Sequence, residues 1–177
     1  MARKSRRKGA ARPQFKLASP DIRPNGPIAL EQVFNGFGCS GQNISPALKW
    51  SGAPADTRSF ALLVHDPDAP TGGAGWWHWV LVNIPASTTE LRKDASRADG
   101  SNLPMGAAQI NTDFGSPGWG GPCPPVGDKP HRYNFTLYAL KVERLDVSGA
   151  TASLAGYMVN ANAIGKARLT GKFGRKK

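Results

Sequence analysis

Ser59-Phe60-Ala61-Leu62-Leu63-Val64-His65 runs into Asp66-Pro67-Asp68-Ala69-Pro70, and Trp76-Trp77-His78-Trp79-Val80-Leu81-Val82-Asn83-Ile84 follows. The first run is apolar from end to end and reads as a buried strand. The aromatic and β-branched residues of the second read as another strand. Pro67 and Pro70 stiffen the loop after Asp66, and one of their peptide bonds is a candidate for the cis form. A third strand is read at Arg132–Val142, just after Gly120-Gly121-Pro122-Cys123-Pro124-Pro125 and His131. Strict alternation places His78 on one face with Trp76, Val80 and Val82, and Trp77, Trp79 and Leu81 on the other. It places His131, Tyr133, Phe135 and Leu137 on a single face. Each histidine then ends an apolar row. If the strands share a sheet, both imidazoles meet at one mouth.

Working outward, Asn25-Gly26-Pro27 is a turn signal that would join Phe15–Ile22 to Ile28–Val33. Residues 36–46 form a Gly/Ser/Asn loop, and residues 85–130 a long irregular stretch of the kind that is usually functional. One helix is expected over Thr151–Lys166, with Leu154, Met158, Ala161 and Gly165 on a stripe and Tyr157 and Ile164 beside it. Several strands, long loops and one late helix suggest a β-sandwich with a peripheral helix.

The 177 residues suit one domain. The net charge of +11 is concentrated at the ends: residues 1–16 hold seven of the 23 Lys/Arg and residues 166–177 six more, with no acid in either segment. The remaining ten basic residues face twelve acidic ones, so the body is close to neutral. Residues 1–13 and 175–177 read as basic tails around a single domain over 14–174. Such tails solubilise, or make weak contact with anionic membrane or nucleic acid. No aromatic platforms or nucleic-acid motifs accompany them. No apolar stretch follows the N-terminal Arg/Lys residues, so the chain as given reads as cytoplasmic, or as periplasmic or secreted if a signal has been removed.

Asp66, His78, His131 and Tyr133, walled by Trp76 and prolines, make the inventory of a small pocket for an anionic headgroup. Asp66 is expected to accept a hydrogen bond from an imidazole and so fix its tautomer. Gly121 is expected to bring backbone, and an amide donor, close to the ligand. Protonation of either histidine should strengthen anion binding below about pH 6.5. His65 points to the opposite face, and Asp68 reads as a turn former.

These two segments resemble the signature regions of the phosphatidylethanolamine-binding protein family, in particular its bacterial Raf kinase inhibitor-like branch. The likeness runs over residues 14–174 and extends to Asn43-Ile44-Ser45-Pro46, Trp50 and Thr112-Asp113-Phe114-Gly115. It implies a large antiparallel sheet packed on a smaller one, with the ligand pocket at one end. It implies ligand-lining roles for Asp66, Ala69, Pro70, Trp76, His78, Gly121, Pro124, Pro125, His131 and Tyr133. Cys123 stands where many eukaryotic members have glycine, and Trp77 where they often have histidine.

The resemblance implies binding of a small phosphorylated or anionic ligand without catalysis and without a cofactor. The alternative is an interaction protein that inhibits a kinase or protease through its loop surface, and a homodimer stays open. Two histidines and a carboxylate also suit a metal, but no local HxH or HExxH pair supports one. Hydrolysis lacks a nucleophile in an elbow context. Cys39 and Cys123 are the only cysteines. A disulfide between them, favoured over a buried free pair, would tie the 36–46 loop to the pocket rim and sit uneasily with a reducing cytosol.

Overall fold

The computed structural model describes residues 11–177, so most of the expected 1–13 tail lies outside the described residues. Ten strands and one helix are formed among them: β1 Lys16–Ala18, β2 Asn35–Gly36, β3 Cys39–Ser40, β4 Leu48–Ser51, β5 Ser59–Asp66, β6 Trp76–Pro85, β7 Glu90–Leu91, β8 Ala108–Gln109, β9 His131–Leu140, α1 Ala152–Asn162 and β10 Ala163–Phe173. The large sheet runs β10-β9-β5-β6-β8 and the small one β1-β4-β7, with β2 and β3 pairing separately. Every named pairing is antiparallel. The expected mainly-β sandwich with one peripheral helix is the observed fold.

Two apolar layers hold it together. Leu17, Leu48, Trp50 and Leu91 of the small sheet pack on Phe60, Leu62, Val64, Phe135 and Leu137 of the large one. Ala61, Leu63, Val80 and Val82, on the far face, pack on Ala152, Ala155 and Val159 of α1. Because β5 and β6 lie inside the sheet and are covered on both faces, they read as near-continuous apolar runs.

Four expectations need correction. First, β6 does not alternate strictly. The pairing passes from Val64–Trp79 to His65–Trp77, which leaves His78 as an extra residue, a β-bulge. His78 therefore lies on the Trp79 and Leu81 face, against Tyr133 and Trp119, and opposite to Val80 and Val82. Second, Asn25-Gly26-Pro27 makes no hairpin between 15–22 and 28–33. Its backbone docks on β10, through Asn25 N to Thr170 O (2.7 Å) and Lys172 N to Gly26 O (2.8 Å).

Third, α1 ends at Asn162 and the chain turns straight into β10. Thr151 caps its start, the side chain accepting from Leu154 N. The buried face is Ala152, Ala155, Gly156 and Val159, whereas Leu154 and Tyr157 are exposed. Small residues face the sheet because the helix lies close to it, with Gly156 over Leu63 and Trp77. Lys166, Arg168 and Lys172 are therefore strand residues on β10. Fourth, no cis peptide bond occurs among the described residues.

Candidate ligand-binding site

At one end of the sandwich a cavity of about 300 Å³ is lined by Asp66, Ala69, Pro70, Thr71, Trp76, His78, Phe114, Pro124, Pro125, His131 and Tyr133, with Phe37 and Cys123 at the rim. Nine of the ten residues singled out in the sequence line this cavity. The bulge in β6 turns Trp76 and His78 toward it, β9 contributes His131 and Tyr133, and the last residue of β5 is Asp66.

Asp66 is buried and uses both carboxylate oxygens. Oδ1 accepts from the Asp68 amide at 2.8 Å, and Oδ2 accepts from His131 Nδ1 at 2.7 Å. The other ring nitrogen, Nε2, meets Asp128 Oδ2 at 3.1 Å. Carboxylates accept only from N–H, so both contacts are satisfied by the imidazolium. Burial works against that charge as the largest single influence, yet the two carboxylates together raise the His131 pKa above its ordinary value. His131 has therefore spent both donors inside the protein.

His78 is the opposite case. Its Nδ1 donates to the Gly120 carbonyl at 2.6 Å, and the Gly120 amide donates back to the His78 carbonyl at 2.9 Å. Nε2 then carries a lone pair. Full burial lowers the His78 pKa to about 4, with the Gly120 carbonyl and Asp66 only partly offsetting it. The ring is neutral at physiological pH and acts as an acceptor. This corrects the expectation that protonation near pH 6.5 switches on anion binding, since one imidazole is charged already and the other charges only near pH 4.

A stability consequence follows from the same shift. A base whose folded pKa is depressed binds more protons when unfolded, so its contribution is present above about pH 6.5 and is lost as pH falls toward 4. His78 alone should cost about 3 kcal/mol across that window. Urea midpoints measured from pH 7 to pH 4 should fall less steeply in His78→Asn than in the wild type; parallel curves would contradict the assignment.

Gly121 is the one expected ligand contact that lies outside the cavity. Its amide donates to Asn43 Oδ1 at 2.8 Å, and Asn43 Nδ2 donates to the Trp119 carbonyl at 3.1 Å. The Asn43 side chain so mimics a neighbouring strand and holds the 119–121 segment. Gly121 is needed because a Cβ there would overlap the backbone at Gln32 and Val33. Asp113 plays a related part: its carboxylate accepts from the Trp77 amide at 2.7 Å, which sets Phe114 between Trp76 and His78. Asp68 is held by Arg132 through two side-chain bonds of 3.0 and 2.7 Å, which lowers its pKa to about 2. His65 turns to the far face, against Trp77 and the Ala74 carbonyl.

Phe37, Thr71 and Phe114 were not singled out as ligand contacts. Phe37, 71% exposed between two glycines, carried a signal, because an aromatic in so loose a loop has no core to fill. Cys39 and Cys123 form a disulfide, as favoured from the sequence. It fastens the β2–β3 hairpin and Phe37 to the cavity rim. The Arg175 guanidinium binds the Gly38 and Pro124 carbonyls at 3.0 and 3.2 Å, so this C-terminal cation also belongs to the rim and not to a tail.

Residues 18–174 match the family model described as phosphatidylethanolamine-binding protein. The chain belongs to the phosphatidylethanolamine-binding protein family. Within it, the chain is 54% identical over 157 residues to YbcL of Escherichia coli (strain K12), covering 88% of this chain and 85% of YbcL. The crystal structure of YbcL, titled a new member of the mammalian family, superposes with a TM-score of 0.88, covering 90% of this chain and 98% of that one. LppC of Mycobacterium tuberculosis (strain ATCC 25618 / H37Rv), whose name carries the word lipoprotein, is 38% identical over 164 residues, 93% of this chain and 74% of LppC. The family's two-sheet architecture is the one described above. No helix among the described residues is long and apolar enough to cross a membrane.

Proposed function

We propose that the cavity binds a small phosphoryl or carboxyl group that retains one acidic proton, and that the protein acts by binding rather than by catalysis. One observation carries the reading: the Tyr133 hydroxyl and the Trp76 Nε1–H are both buried and have no hydrogen-bond partner, and both side chains line the cavity. A buried polar group left unpaired costs about 1–3 kcal/mol. Two such donors beside a His78 acceptor suit a ligand that offers two oxygen acceptors and one O–H. A singly protonated phosphate monoester and a carboxylic acid both do so. The apolar wall of Phe37, Phe114, Trp76 and Pro124 accommodates a short organic substituent, and about 300 Å³ does not accommodate acyl chains.

The test is a calorimetric titration with phosphoethanolamine on the wild type and Tyr133→Phe. The variant should bind about tenfold more weakly, the worth of one hydrogen bond. Its unfolding free energy should be unchanged or about 1 kcal/mol higher, because the orphaned hydroxyl is gone. A variant that binds equally well, or a wild type that gives no heat with phosphate or carboxylate probes, would sink the reading. The disulfide, together with the lipoprotein in a relative's name, supports an oxidising compartment over the cytoplasmic expectation.

A further inference from the structure

The His131 ring is a partition between two cavities. Nδ1 faces Asp66, which lines the cavity described above. Nε2 faces Asp128, which lines a second cavity of about 480 Å³ together with Asp68, Lys129, Arg132 and Lys172. Asp68 is matched by Arg132. Lys129 and Lys172 have no acidic partner among the described residues, although both stand at this cavity. The one charged group that reaches the buried His131 donor is the Asp128 carboxylate, whose side chain is 42% exposed while that of His131 is 4% exposed.

We propose that this second cavity is a site for a small inorganic oxyanion such as phosphate, and that the Asp128 carboxylate is its intramolecular stand-in. The inference goes beyond the phosphoryl or carboxyl reading of the first cavity and shares only His131 with it. A carboxylate at 3.1 Å from Nε2 shows that this N–H donates to an anionic oxygen on that side. A free oxyanion at the His131 donor shares its cavity with Lys129 and Lys172, neither of which the Asp128 carboxylate engages in an ion pair. It can settle between donor and lysines where a tethered carboxylate cannot. Asp128 sits on an exposed turn after Gly127, which has φ +88°, so its side chain can swing into water where its charge is screened. The protein thus carries a competitor for its own site, and occupancy by an external anion requires its displacement.

The experiment is a titration with inorganic phosphate at pH 6, read by heat and by the ring N–H resonances of His131. Asp128→Ala should bind phosphate about tenfold more tightly than the wild type, and the Nε2–H resonance should shift on binding. Adding Lys172→Gln to Asp128→Ala should remove most of that gain, while adding Tyr133→Phe, which reports on the first cavity, should leave it intact. If Asp128→Ala does not fold, Asp128→Asn removes the charge with less change of shape. The proposal is overturned by equal affinities in the wild type and both Asp128 variants, by a gain that Tyr133→Phe abolishes and Lys172→Gln does not, or by no phosphate binding in any variant.

Discussion

Replacing both Cys39 and Cys123 by alanine should lower the unfolding free energy by about 4–5 kcal/mol, the largest single effect expected in this protein. The bond joins residues 84 apart in sequence. In the chain-entropy treatment, a loop of that length removes about that much from the unfolded ensemble. Small domains have only about 5–15 kcal/mol in total, so the loss is a large fraction. Urea denaturation of the double variant, and of the wild type with and without a reductant, measures it. Native-state contacts should suffer locally as well. Without the bond, the β2–β3 hairpin keeps the Arg175 bonds to Gly38 and Pro124 but loses its covalent tie to the cavity rim. Phe37 should then become more mobile and ligand binding weaker. Coincident denaturation curves for oxidised and reduced protein would remove the entropic account.

Asp66→Ala is the second large effect, at about 3–5 kcal/mol, the usual cost of breaking a buried charge pair by deleting one partner. The variant leaves the Asp68 amide without its acceptor and the His131 ring with Asp128 alone. Burial, already the strongest influence on that imidazole, then has less to oppose it, and the His131 pKa should fall. The pH dependence gives a second check. A base whose folded pKa is raised contributes stability that is fully present below about pH 6.5 and is lost as pH rises through the folded value. The gap between wild type and variant should therefore be widest at about pH 6 and should narrow at higher pH. A gap that widens with pH would mean that His131 is neutral in the native state.

The sandwich was legible because its central strands are chemically extreme. Residues 59–65 contain no charge apart from the terminal histidine, and covering a strand on both faces demands such a run. β10 escaped because its interior contacts are small: Ala167, Leu169 and Gly171 are the buried members of an otherwise polar alternation, and Gly165 weakened any strand signal. The helix was found by its apolar stripe, but the buried face was misread. Leu154 and Tyr157 point outward, and apart from Val159 the buried contact with the sheet is made by alanines and a glycine, which give little hydrophobic signal.

At the site, residue identities were readable and their hydrogen-bond economy was not. Nothing in the sequence shows that Asp128 takes the second nitrogen of His131, which depends on how the short turn before β9 folds back, or that Asn43 takes the Gly121 amide, which depends on loops that meet across a long separation.

The ten residues of β6 run beside only eight of β5, and the surplus is placed with purpose. One extra residue lies at His78, and the other between the Phe60–Ile84 and Leu62–Leu81 pairs, where Asn83 takes a left-handed backbone and anchors Leu145. The strand accordingly has three reading frames, and only the first feeds the cavity. Loss of a single codon at His78 would erase the bulge and its imidazole while leaving Trp76 opposite Asp66, Trp77 opposite His65 and Val80 through Val82 in place. A lineage carrying this fold can therefore vary the walls of the cavity by substitution, whereas loss of this one surplus residue removes its buried acceptor without disturbing the neighbouring pairs.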